Sequence, residues 1–220
     1  ITWMRNNLGE FSNCNNIATP SLVITKINYN PQETATFPES DDLEFIAIKN
    51  TGNTTVDLTG IYLVKLGVSF QFSQNTTISA NETIYLAGNA TTFQEKYGVA
   101  PFDTFTRDLS NKSQNLVLAD AFGNTIDEVM YEDDTPWPSS ADGSGSYLQL
   151  MDMNSDNSIA SNWYASTEKI SSEDIASINQ DVLVYPNPTS GKIYFDEISN
   201  EHFSSIHIMS LDGKNMETHQ

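Results

Sequence analysis

The stretch DMNSDN sets Asp152, Asn154 and Asp156 at alternate positions. Hard oxygen donors alternate in this way in calcium-binding loops. The glycine and the twelfth-position glutamate of an EF-hand are missing here, and Asx residues at this spacing also build turns unaided. Turn formation is the first reading of the loop and calcium the second; no other cofactor is expected. Two acidic clusters are further sources of paired carboxylates: Glu39, Asp41 and Asp42 in PESDD, and Glu132, Asp133 and Asp134 in YEDD. A glycosidase sets two carboxyls across a cleft, roughly 5 to 9 Å apart. Short loops seldom build such a cleft, so both clusters read as solvated loop charge.

The three histidines, His202, His207 and His219, all lie near the end of the chain. Residues 1–201 therefore cannot supply a Ser-His-Asp or Cys-His arrangement from their own side chains, nor the usual imidazole ligands of zinc. DGSGSY lacks the lysine and the following helix of a phosphate-binding loop. Trp137, between Pro136 and Pro138, has two readings. It is either a cap on the end of the fold or an exposed platform on which a sugar stacks or a partner packs. Trp163 reads as core. Tyr131 and Tyr147 read as hydrogen-bonding groups at the end of the fold.

The elements that must position these residues are strands. The 220 residues carry 38% hydrophobic and 10% aromatic side chains, enough for a core. SLVITKINYN is β-branched, and LEFIAIKN is apolar on both faces, as a strand covered on both sides should be. Gly60 marks a bend within VDLTGIYLVKL. In VSFQF, Val68, Phe70 and Phe72 alternate with Ser69 and Gln71. TISANETIYLAG turns at Ala80-Asn81-Glu82. In TTFQEKYG the spacing of Thr92 and Glu95 predicts a capping box, Phe93 and Tyr97 meet one turn apart, and Gly98 stops the helix. QNLVLADAFGNTIDEVMY predicts a hairpin through AFGN, and GSYLQLMD and SNWYAS complete the set. About eight short strands over residues 20–166 predict an all-β fold, an immunoglobulin-like β-sandwich, followed by a small partial β-unit at the C-terminus.

Charge narrows the partners. A net charge of -19, from 29 acidic and 10 basic residues, repels nucleic acid phosphates and anionic lipid. No apolar run reaches the ~20 residues of a membrane span. A protein or glycan surface partner is expected instead, with no nucleic acid and no membrane insertion. The single cysteine, Cys14, cannot form an intrachain disulfide.

The run LEFIAIKNTGNTTVDLTGIYL, followed by TISANETIYLAG, NLVLADAFGNTIDEVMY and GSYLQLMD…SNWYAS, resembles the lamin-tail domain in its bacterial form. The resemblance implies an immunoglobulin-like sandwich, found in bacteria beside surface enzymes and secreted proteins and usually without catalysis of its own. VYPNPTSGKIYF…IHIMSLDGK resembles the start of the C-terminal sorting domain of type IX secretion cargo. Tyr185, Pro186, Asn187, Pro188 and Gly191 match that motif, as does the turn at Asp212-Gly213. Its prolines fix φ on both sides of Asn187. ITWMRNNL is similar to the final helix of CotH kinase-like domains.

The expected organisation is a tail of an upstream domain or a linker over 1–19, the sandwich over 20–166, a linker over 167–181, and a clipped sorting domain over 182–220. The strand that leads into the Asp212-Gly213 turn is expected to lack its hairpin partner, because the sequence stops soon after the turn. The sequence reads as an internal fragment of a longer, secreted or cell-surface bacterial protein. The expected function is a non-catalytic adhesion or spacer module, not an enzyme; the alternative is a calcium-stabilised or carbohydrate-binding module of an extracellular enzyme.

Overall fold

The computed structural model describes residues 19–64 and 67–170, together with the backbone of four short strands between 184 and 219. The chain divides into two compact units, Ile1–Ser177 and Ile178–Gln220.

In the first unit, β1 (Leu22–Asn28) is flanked by β2 (Phe45–Asn50) and β11 (Tyr147–Leu150). β7 (Thr83–Ala87) and β8 (Asp103–Thr104) extend the sheet beyond β2, and β12 (Trp163–Ser166) extends it beyond β11. All pairs in this six-stranded sheet are antiparallel except β7 with β8. The second sheet runs β10 (Thr125–Glu132), β9 (Ser113–Ala119), β4 (Tyr62–Leu63), β5 (Phe70–Gln71). A small ladder joins β3 (Val56–Asp57) to β6 (Thr77–Ile78).

The core follows from alternation. Ile24, Ile46, Ile48, Leu86 and Leu148 of the first sheet meet Leu63, Leu116, Leu118 and Val129 of the second. Burial of this apolar surface is the main favourable term for the fold. The expected double-faced strand is present. In β2, Ile46 and Ile48 face the main core while Phe45 and Ala47 face a second cluster with Tyr85, Ala87, Phe93, Tyr147 and Ile170. That outer face is roofed by α1 (Ala90–Tyr97).

Three expectations about local structure need correction. The helix is capped by Asn89, not by Thr92. The Asn89 carboxamide oxygen accepts from the N–H groups of Thr91 and Thr92 at 3.0 and 3.2 Å, and the Thr92 hydroxyl is instead turned toward Asp42. Phe93 and Tyr97 do meet, with ring centroids 4.7 Å apart, and Gly98 ends the helix at φ 78°. Second, the described residues of the first unit form twelve strands, because turn residues cut the longer apolar runs. VDLTGIYLVKL breaks at Gly60 (φ 76°), where the Asp57 carboxylate accepts from Thr59 N–H and ends β3. Third, the chain stays packed past residue 166. Ile170 is 3% exposed on the outer-face cluster, so the first residues of the expected linker belong to the sandwich.

In the second unit, β13 (Val184–Tyr185) pairs with β14 (Tyr194–Phe195), and β15 (Ile206–Met209) with β16 (Asn215–His219), both antiparallel. The strand before Asp212-Gly213 thus has the hairpin partner that the sequence reading expected to be missing, and β16 supplies it.

Candidate interaction surface

Several polar side chains inside the sandwich are tied into the fold by hydrogen bonds. The Asp127 carboxylate reaches from β10 to the first sheet. It accepts from Ile24 N–H at 2.7 Å and from the Asn157 side chain at 2.8 Å. The register of β1 shifts between Ile24 and Lys26, which frees that N–H from the ladder. Burial raises the Asp127 carboxyl, and these two hydrogen bonds oppose the rise. Asn50, fully buried, donates to the carbonyls of Thr54, Ile78 and Ser79 and accepts from Gly52 N–H. One side chain therefore organises the NTGNT turn and the approach to β7. Tyr131 donates to the Ser110 carbonyl at 2.8 Å and Tyr147 to the Glu168 carbonyl at 3.1 Å, the structural roles expected of them.

Glu44 is the most perturbed carboxyl among the described residues. It follows a 3-10 turn (Ser40–Leu43) and is fully buried. Its Oε2 accepts from Leu109 N–H at 2.7 Å, and Oε1 has no partner. Burial pushes it up to about 9, with Asp41 and Asp108 adding to the rise and the Leu109 hydrogen bond opposing it. The turn packs closely at Gly88, where a Cβ would stand 2.5 Å from the Asp41 carbonyl oxygen.

The residues singled out in the sequence separate. Asp152 and Asp156 each close a turn of their own. Asp152 accepts from Asn154 N–H at 2.9 Å and from its side chain at 3.2 Å; Asp156 accepts from Ser158 N–H at 3.0 Å and its hydroxyl at 2.6 Å. The Ser158 bonds hold the Asp156 carboxyl below the usual range. Asn154 directs its backbone and side-chain N–H groups to Asp152, and among the described residues no three His, Cys, Asp or Glu side chains converge as a metal site. Millimolar calcium is expected to leave the melting temperature unchanged, since a ligand stabilises only a fold that binds it. A rise of several degrees, lost in Asp152→Asn, would make the loop a calcium site.

Trp137 is no platform. It is 6% exposed and packs on Trp163 with ring centroids 5.9 Å apart, so its faces are covered. Of its two readings, the cap on the sandwich is the one the geometry gives. Trp163 is core, its indole N–H donating to the Asn157 carbonyl at 2.8 Å. The acidic clusters stay at the surface, with Asp133 paired to Lys112 at 2.6 Å. Tyr185 lies on β13 opposite Tyr194; Pro186, Asn187, Pro188 and Gly191 lie outside the described residues.

Exposed apolar groups mark two places. Phe122, 79% exposed, stands at the tip of the β9–β10 hairpin, in a turn built by Asp120 accepting from the N–H groups of Phe122 and Asn124. A groove of about 700 Å³ lies where the open edges β5 and β8 approach. The backbones of Ser69 and Thr106 exchange hydrogen bonds of 2.9 and 3.0 Å there and clasp the two sheets. Tyr62, Phe70, Gln71 and Thr104 line it, and Val64 is 39% exposed at its side. These are groups for contact; none of them is a nucleophile paired with a base.

Two facing, mainly antiparallel sheets around one apolar core define an immunoglobulin-like sandwich. The chain belongs to the lamin tail domain family, whose profile matches residues 15–133, more than half of its length. No curated protein matches it in sequence. Domains of this family are generally interaction or structural modules and typically non-catalytic. The structural unit outruns the match, because β11 separates β1 from β12 in one sheet. Among the described residues no helix is long and apolar enough to cross a membrane.

Proposed function

We propose that the sandwich is a non-catalytic adhesion or spacer module of a secreted or cell-surface bacterial protein. It makes contact with a protein or glycan partner through loops on a rigid scaffold. The observation that carries this reading is the way the polar interior is used: Asp127, Asn50, Tyr131 and Tyr147 spend their hydrogen-bonding groups on backbone partners of the fold itself. The exposed loops are what is left to do work, and Phe122 is the most exposed large apolar side chain described among them. Residues 182–220 act as the address, the start of a type IX sorting domain, and residues 1–19 join the module to what it presents.

The test has two arms. Beads coated with the protein are expected to adhere to the producing bacterium's surface, and Phe122→Ser to reduce adhesion severalfold with no change in melting temperature. Fractionation of the producing cells is expected to place the protein outside the cytoplasm. Turnover of polysaccharide or ester substrates by the purified chain, or a cytoplasmic location, would overturn the proposal.

A further inference from the structure

We propose that the open edge of β5 takes up an extended, basic peptide as an added strand, with one of its apolar side chains seated beside Phe102. This goes beyond the loop contacts described above and does not depend on Phe122.

The register decides which backbone groups face the groove. Val64 N–H meets the Val117 carbonyl at 2.8 Å, and Phe72 N–H meets the Ile61 carbonyl at 2.9 Å. Backbone groups of successive residues point to opposite sides of a strand. With Tyr62 opposite Gln71 and Leu63 opposite Phe70, Phe70 and Phe72 turn theirs to β4, while Ser69 and Gln71 turn theirs outward. Ser69 exchanges both bonds with Thr106, at 2.9 and 3.0 Å. The next rung of that antiparallel bridge would join Gln71 to Thr104, but the bridge is an isolated one. Thr104 N–H instead folds back onto the Asp103 carboxylate at 2.8 Å. The groove of about 700 Å³ opens at this missing rung, lined by Gln71 on one side and Thr104 on the other. Gln71, which is exposed, thus presents an N–H and a C=O to it, the pair that an added antiparallel strand takes up.

Nothing within VSFQF guards this edge. Charge and proline are among the usual protections, and Val68 to Phe72 contain neither. Beside the edge runs an incompletely covered aromatic row. The rings of Phe70 and Phe72 are 4.8 Å apart and those of Phe72 and Phe102 5.7 Å, and Phe102 is 43% exposed. An apolar side chain on the inner face of the added strand extends that row. Charge selects the rest of the peptide. The exposed Asp103 adjoins the groove at Thr104, and the overall charge of -19 draws a cationic segment and repels an acidic one. A second copy of this chain brings the same charge again. A sugar chain has no repeating backbone donor and acceptor with which to answer Gln71.

The experiment is an amide-resolved NMR titration of the full chain with the peptide Ac-Lys-Val-Thr-Val-Lys-NH2. Its controls are the acidic peptide Ac-Glu-Val-Thr-Val-Glu-NH2 and the basic peptide N-methylated at its three central amides. The basic peptide is expected to shift the Gln71, Phe102 and Thr104 amides saturably and to slow hydrogen exchange at Gln71. The acidic peptide should bind about fivefold more weakly, and the methylated one not at all, since it cannot pair with an edge. Gln71→Pro removes the N–H that faces the groove and spares the bonds to β4; it is expected to weaken the basic peptide about tenfold, the size of one well-placed hydrogen bond. Phe102→Ser, at an exposed position, should weaken it severalfold and covers the case in which the Gln71 variant misfolds. Absence of saturable shifts with the basic peptide, unchanged Gln71 exchange in its presence, equal binding of either control peptide, or full binding by Phe102→Ser would each overturn the assignment. Gln71 protection that grows with protein concentration alone would give the edge to a second copy and overturn it as well.

Discussion

Glu44→Gln is expected to stabilise the sandwich, by a margin that widens as the pH rises. In the folded protein burial holds the Glu44 carboxyl up to about 9, against the ordinary 4.5. Between those values the folded state keeps a proton that the unfolded state has released. Stability then falls with rising pH, and the part owed to Glu44 is lost progressively from about 4.5 to about 9. Each unit is worth about 1.4 kcal/mol at most, so near pH 7 Glu44 withholds up to about 3 kcal/mol. Glutamine keeps an oxygen for Leu109 N–H and has no charge to bury. Urea unfolding of both proteins at pH 5 and pH 8 measures the effect; taking the difference between them removes the contribution of the other acids, including Asp41 and Asp108 beside the site. A difference that stays constant across that range would show that Glu44 does not hold its proton.

The second large effect lies on the other side of β2. Phe45 is fully buried, and its ring meets those of Tyr85, Phe93, Tyr97 and Tyr147 edge-on at centroid distances of 5.7, 5.7, 5.4 and 5.3 Å. Removing the ring deletes transfer energy and leaves a cavity that four neighbours on a sheet and a helix cannot close. Phe45→Ala is expected to lose about 3–5 kcal/mol in denaturant unfolding. Near-UV circular dichroism should weaken in step, because the tyrosines lose their fixed packing. A loss below about 1 kcal/mol would mean that α1 collapses into the gap and that the outer-face cluster is not a second core.

That outer face also marks the limit of what the sequence discloses. Strand positions such as LEFIAIKN were legible because a run apolar at every position has to be covered twice. The Gly60 bend, the AFGN hairpin and the Gly98 stop were legible because each rests on local chemistry. Lys26 and Asn28 alternate with Ile27 in β1 and by period alone belong to solvent. They are buried because the distant rings of Tyr85 and Tyr147 lie against Lys26, and Tyr97 of α1 meets Asn28, and no local pattern announces that. The same holds for Glu44 and Asp127, whose partners Leu109 and Ile24 are distant in the chain. The helix start was mistaken because Asn89 and Thr92 both suit the cap position; Asn89 wins by satisfying two N–H groups at once. Pro136 and Pro138 made Trp137 look like part of a loop, and its burial depends on Trp163 across the end of the sandwich. Ile170 was passed over because one apolar residue in an acidic, serine-rich stretch carries no period.

The order of strands has a mechanical corollary. β1 runs antiparallel to β11, and β11 to β12, so β1 and β12 point the same way. Residues 22 and 166 accordingly lie toward opposite ends of the sheet. Tension applied between them pulls along the strands and across hydrogen bonds that stand perpendicular to them. The rungs joining β1 to its two neighbours are then sheared together instead of being unzipped singly, a geometry in which a tethered domain holds its length until many rungs fail at once.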